Sequence, residues 1–125
     1  MYHILLITPD QSLVSLIQEV LQSSPIECVV ASNVQIAARV LQNERRPNIL
    51  LLDLSAEHAI TFLQEMRRVK AFADLPVLAM ADAPDSDQIK LALEAGADRW
   101  IVTGFIRTSL FNVIKQLANK EAEKS

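Results

Sequence analysis

Five short apolar runs punctuate the chain, and between them apolar residues recur every three or four positions. The runs are Ile4-Leu5-Leu6-Ile7, Ile26 to Ala31, Ile49 to Leu54, Val77-Leu78-Ala79-Met80-Ala81 and Trp100-Ile101-Val102-Thr103. A run without alternation predicts a strand covered on both faces. The intervening stretches predict helices with one apolar stripe each. Leu13, Leu16, Ile17, Val20 and Leu21 make the first stripe; Val34, Ala37, Ala38 and Leu41 the second; Phe62, Leu63, Met66 and Val69 the third, in a helix beginning near His58. Ile89, Ala92 and Leu93 make the fourth, and Leu110, Val113, Ile114, Leu117 and Ala118 the fifth.

Capping residues sit where such helices need them. Asp10 or Ser12 suits the first start and Asn33 the second. Asp85 and Gln88 have the spacing of a capping box, Gly96 suits a left-handed helix end, and Thr108 or Ser109 suits the last start. Pro9 stops the first strand, because it cannot donate to a ladder. Strand followed by helix, repeated along the whole chain, predicts an α/β layer fold with a parallel sheet and right-handed crossovers. We expect one domain over residues 1–119, with 120–125 as a charged, frayed tail or the start of a linker.

Composition narrows the function. Half of the 125 residues are hydrophobic, enough for one core, and the net charge of −3 argues against a nucleic-acid surface. Arg45-Arg46 and Arg67-Arg68 are read as cations at helix ends. Cys28 is the only cysteine, so no internal disulfide can form, and it is read as a small buried hydrophobe. The start, Met1-Tyr2-His3-Ile4, has no signal-peptide pattern, and no run has membrane-spanning length. A soluble, cytoplasmic protein is expected, with neither nucleic acid nor membrane as partner. His3 and His58 lack metal-ligand spacing. Gly96 and Gly104 are the only glycines, and neither lies in a first strand-to-helix turn, so phosphate-cradling fingerprints are absent.

Three pieces in fixed order carry a more specific signal: Arg46-Pro47-Asn48-Ile49-Leu50-Leu51-Leu52-Asp53-Leu54, then Leu75-Pro76-Val77-Leu78, then Ala92-Leu93-Glu94-Ala95-Gly96-Ala97-Asp98. Together they resemble the receiver domain of two-component response regulators, over about residues 3 to 118. The resemblance implies a flavodoxin-like, doubly wound five-stranded parallel sheet of strand order 2-1-3-4-5. It also implies a phosphoryl-transfer constellation: an acceptor Asp after the third strand, two Mg²⁺-holding acids after the first, a hydroxyl ending the fourth, and a Lys ending the fifth. Phosphoryl transfer needs such a set because it is mostly positioning and electrostatic stabilisation.

On this chain the acceptor position is Asp53. The acid pair falls on Thr8 and Pro9, the hydroxyl on Ala81 and the Lys on Thr103, followed by Gly104 in place of Pro. The family's aromatic switch position falls on Trp100, and the loop Ser55-Ala56-Glu57-His58-Ala59 is short, without Pro or Gly. Asp10 and Asp82 are potential neighbours of the site. Asp53 therefore has two readings, a phosphoryl acceptor or an acid that braces its loop. In the second, Thr8 and Thr103 donate hydroxyl hydrogen bonds to its carboxylate. Trp100 is read as an aromatic fixed between the fourth and fifth helices.

The expectation is a degenerate receiver: no enzyme, no catalytic residue, no metal and no cofactor, but a phosphorylation-independent interaction module. Its partner would be a kinase, an effector domain or a second receiver. The face of the fourth helix, fifth strand and fifth helix is the expected surface, with Lys90, Glu94, Arg99, Trp100, Arg107 and Lys115 on it, and a homodimer through it is one arrangement. The alternative is a working receiver, phosphorylated on Asp53 by a histidine kinase with Mg²⁺ held by Asp10 or Asp82. A small-ligand flavodoxin-like domain is disfavoured by the missing phosphate loops.

Overall fold

The structure, a computed structural model, describes residues 2–43, 46–84 and 86–124, with side chains as far as Asn119. Its strands are β1 (Tyr2–Ile7), β2 (Ile26–Ala31), β3 (Ile49–Asp53), β4 (Val77–Ala81) and β5 (Arg99–Val102). Its helices are α1 (Gln11–Leu21), α2 (Val34–Asn43), α3 (Ala59–Arg68), α4 (Asp87–Ala95) and α5 (Ile106–Lys124). All strand pairs are parallel, in the order β2-β1-β3-β4-β5. This is the doubly wound, flavodoxin-like sheet expected above.

The absence of alternation in the strands now has a physical account. The sheet has a core on each face, and successive side chains go to opposite faces. Leu5, Ile7, Leu50, Leu52 and Ala79 pack under α2, α3 and α4. Ile4, Leu6, Ile49, Leu51, Leu78 and Met80 pack under α1 and α5. Every residue of β3 and β4 is buried, so a period of two is present in space but invisible in hydropathy.

Asp10 caps α1, accepting from the backbone N–H of Ser12 and Leu13, and Asn33 caps α2 through Ile36. Gly96 ends α4 at φ 116°, with the Ala97 N–H closing onto Ala92 O. A Cβ there would approach Arg67 to 2.9 Å, so both conformation and space ask for glycine.

Several details differ from the sequence expectation. Ser86 caps α4, and Asp85, like Arg45, lies outside the described residues. Neither Thr108 nor Ser109 starts α5; a tight turn over Thr103–Phe105 runs straight into Ile106, and Thr108 Oγ1 donates back to Phe105 O. β5 is shifted by one residue and ends at Val102, leaving Thr103 in that turn. Val69 lies beyond α3 and is exposed, and Leu93 is exposed on α4. The reason for Leu93 is angular: the buried side of α4 is set by Ile89 and Ala92, and Leu93 lies at the edge of that stripe. The α5 backbone stays helical past residue 119 to Lys124, where a frayed tail was expected. Among the described residues no helix is long and apolar enough to cross a membrane.

Candidate functional site

The carboxyl ends of β1, β3, β4 and β5 converge above the sheet, the usual place for a ligand in an open α/β fold. The register places the residues there. Ile7 pairs with Leu52, so the next step sets Thr8 beside Asp53. Ala81 pairs with Val102, so the next step on β5 is Thr103. Asp53 is only 4% exposed and Thr8 fully buried; they are the only buried polar or charged residues among those described.

Burying a carboxylate is costly unless hydrogen bonds replace its water. Here three donors do so. Thr8 Oγ1 donates to Asp53 Oδ2 at 2.6 Å. The N–H of Ser55 and its Oγ both reach Oδ1, at 2.9 and 2.8 Å. Thr8 Oγ1 in turn accepts from the Asp10 N–H at 3.1 Å, which ties the start of α1 into the same network. Both carboxylate oxygens are thus committed within the protein, to neutral groups.

The other expected residues gather less tightly. Asp10, Asp53, Ser55, Asp82 and Thr103 line one cavity of about 330 Å³. Among its described lining residues there is no lysine or arginine. Asp82 and Asp10 are exposed, and Asp10 Oδ1 is already used in capping α1. Ala81 is buried and supplies no hydroxyl; Pro9 is exposed. Thr103 reaches the cavity wall, but its expected hydrogen bond to Asp53 is absent from the contacts of that carboxylate.

This donor set does not fit Mg²⁺. A hard dication needs several oxygens in octahedral reach. Asp53 already accepts from three internal donors, and among the described residues no three acids, histidines or cysteines converge to hold a metal ion.

Two contributors had no role assigned in the sequence. One is Ser55, and the signal for it was present: an Asp followed two residues later by a Ser is the spacing of an Asx turn. The other is Arg67, read as a solvated helix end. Its guanidinium donates to the carbonyls of Gly96, Phe72 and Ala73 and pairs with Asp98 at 3.2 Å. Asp98 also accepts from the Val77 N–H. Arg67 therefore fastens the end of α3 to the turn between α4 and β5. Burial pulls its pKa below the ordinary value, while Asp98 opposes the shift.

The outer face expected to meet partners divides in two. Trp100 is 40% exposed on β5 and emerges on the α4 side, since Ile101 packs toward α1 and α5. Leu91 and Leu93 are exposed on α4, as are Lys90 and Glu94. Arg99 donates to Gln116 of α5 at 2.7 Å. Arg107 instead turns to Glu19 of α1, and Lys115 lines a cavity with Tyr2 and Ile26, so these two do not belong to that face.

A family profile described as the response regulator receiver domain matches residues 4–115. The phosphate regulon transcriptional regulatory protein PhoB of Pseudomonas aeruginosa is 26% identical over 94% of this chain and 52% of its own length. The chain thus spans about half the length of that curated relative. A CheY-like response regulator receiver domain protein from Methanospirillum hungatei JF-1 superposes with a TM-score of 0.87 at 16% identity, covering 100% of this chain and 99% of its own. The Mn²⁺-bound form of response regulator Rcp1 superposes with a TM-score of 0.74 at 23% identity, over 98% and 93%.

Proposed function

The chain belongs to the response regulator receiver domain family, and from that premise we propose that it is a receiver whose output does not depend on phosphorylation of Asp53. Receiver domains work within two-component systems beside kinase or effector partners. In this reading the chain is no enzyme; it is an interaction module in such a system, meeting a kinase, an effector domain or a second receiver.

The observation that carries the proposal is the state of Asp53. Its two oxygens accept from Thr8 and Ser55, neutral donors that hold the carboxylate in place and supply no positive charge for an incoming phosphoryl group. The phosphoryl group would then stand among Asp10, Asp53 and Asp82 with no lysine or arginine in the cavity lining. A unit charge pair near 4 Å is worth roughly 4 kcal/mol at an effective dielectric near 20. Lacking the lysine and the acid pair, the pocket forgoes attractions of that size and keeps the repulsions.

The working surface in this proposal is the exposed Trp100 of β5 with Leu93, Lys90 and Glu94 of α4. Tryptophan at such a place is enriched among residues that dominate binding energy. Ala81 has no hydroxyl with which to draw Trp100 inward, so this face is presented permanently.

The test is direct. After incubation with acetyl phosphate and Mg²⁺, the mass of the intact protein should be unchanged, and millimolar Mg²⁺ should leave Trp100 fluorescence unaltered. A phosphoryl adduct that disappears in Asp53→Asn would overturn the proposal and favour a working receiver with Asp10 or Asp82 in its metal site.

A further inference from the structure

At the opposite end of the sheet from Asp53, the amino ends of β1 and β2 and the flank of α5 border a second, open cavity of about 320 Å³. Tyr2, Pro25, Ile26, Phe111 and Ile114 form its largely apolar wall, and Lys115 is the one charged lining residue among those described. The Lys115 ammonium stands 5.8 Å from the centre of the Phe111 ring. That is near the outer limit of a cation–π contact. Among the described residues it has no ion pair. Among the described residues no carboxylate lines the cavity, although the chain as a whole is acidic.

Apolar walls with one polar anchor are the usual make-up of a small-molecule site, and the volume falls at the lower end of such sites. The sign of the anchor then selects the ligand. We propose that this cavity binds an amphipathic organic anion: a carboxylate at Lys115 with an apolar chain or ring against Ile26, Phe111 and Ile114. A cavity of about 150 Å³ holds benzene, so this one holds roughly eight to ten carbons. The inference is independent of the state of Asp53.

The molecule contains its own control. Another apolar cavity, of about 270 Å³, lies between α2 and α3 against Phe62, Met66 and Phe72, and among the described residues its one charged lining residue is Glu65. The two cavities share a character and differ in sign, so a charge-selected anion should enter only the first.

The experiment is a backbone NMR titration of the whole chain with decanoate, decanol and decyltrimethylammonium, each below its micelle concentration. Decanoate should give saturable shifts at Ile26, Phe111, Ile114 and Ala118. It should bind about two- to fivefold tighter than decanol, the range for one exposed charge. Lys115→Gln should erase that preference and leave decanol binding unchanged. Ala118→Phe, which fills the cavity, should weaken both ligands. Equal affinity for decanoate and decanol overturns the proposal, as does no saturation by millimolar decanoate. Decanoate shifts centred on Phe62 and Met66 also overturn it, as do shifts that follow protein concentration without ligand and so report self-association.

Discussion

The carboxyl rim of the sheet and the outer flank of α4 and β5 are fed by the same strands, yet they are built on opposite terms. At the rim, Asp53 is buried and each oxygen accepts from a neighbour in the chain. On the flank, Leu93 and Trp100 stand 42 and 40% exposed, with apolar area that the fold itself does not use. A new ligand at the rim meets an acid already braced by neutral donors, beside the further acids Asp10 and Asp82. The flank can take one by losing water, which is favourable at roughly 25 cal/mol per Å² of apolar surface. That difference is what the proposal of a recognition module rests on.

The largest expected effect breaks the support beneath the flank. Arg67→Ala removes the bonds to Gly96, Phe72 and Ala73 and leaves Asp98 without its cation. The pair is half-buried, so we expect a loss of about 2 kcal/mol in urea denaturation, with altered NMR shifts at Trp100. A loss below about 0.5 kcal/mol would make Arg67 an ordinary surface cation.

Next comes the rim. Thr8→Val keeps the shape and removes the donor to Asp53 Oδ2. A buried charged acceptor left short of a partner costs about 2 kcal/mol. Asp53→Asn in the Thr8→Val background should recover part of that loss, because no buried charge remains. If the two substitutions instead add, the bond is not a brace.

Trp100→Ala should change stability by less than about 1 kcal/mol, since its side chain is partly outside the core. A larger loss in thermal unfolding would show that the flank belongs to the fold rather than to partners. Smallest of all, Arg107→Ala removes an exposed pair with Glu19 and should cost no more than about 0.5 kcal/mol.

A pH experiment probes the interior apart from either region. Burial pushes the Cys28 thiol up to about 11 from an ordinary 9.0. A raised folded-state value means the neutral thiol contributes stability below pH 9, and that contribution is lost as pH rises toward 11. The wild type should therefore lose stability relative to Cys28→Val across that window. A constant difference between the two would place Cys28 in water.

The layer architecture, the strand order implied by the family resemblance, and the positions stripped of their usual chemistry are all legible in the residues. Those follow from short-range information: apolar runs too long to alternate, helical stripes, and the identities of Thr8, Ala81 and Thr103. The sequence also offered the Asp53 to Ser55 spacing, whose meaning is local. What only the tertiary structure decided depends on residues far apart in the chain. Thr8 reaches Asp53 across 45 positions while Thr103, equally eligible by composition, does not. Arg67 reaches Gly96 and Asp98 across 29 and 31 positions, which no helix-end rule anticipates. Leu93 has a core residue's spacing but lies exposed on the flank of α4 next to the last strand. Hydropathy reports which side chains avoid water; only the packed sheet decides which of them find cover, and which donor arrives within 3 Å of a buried charge.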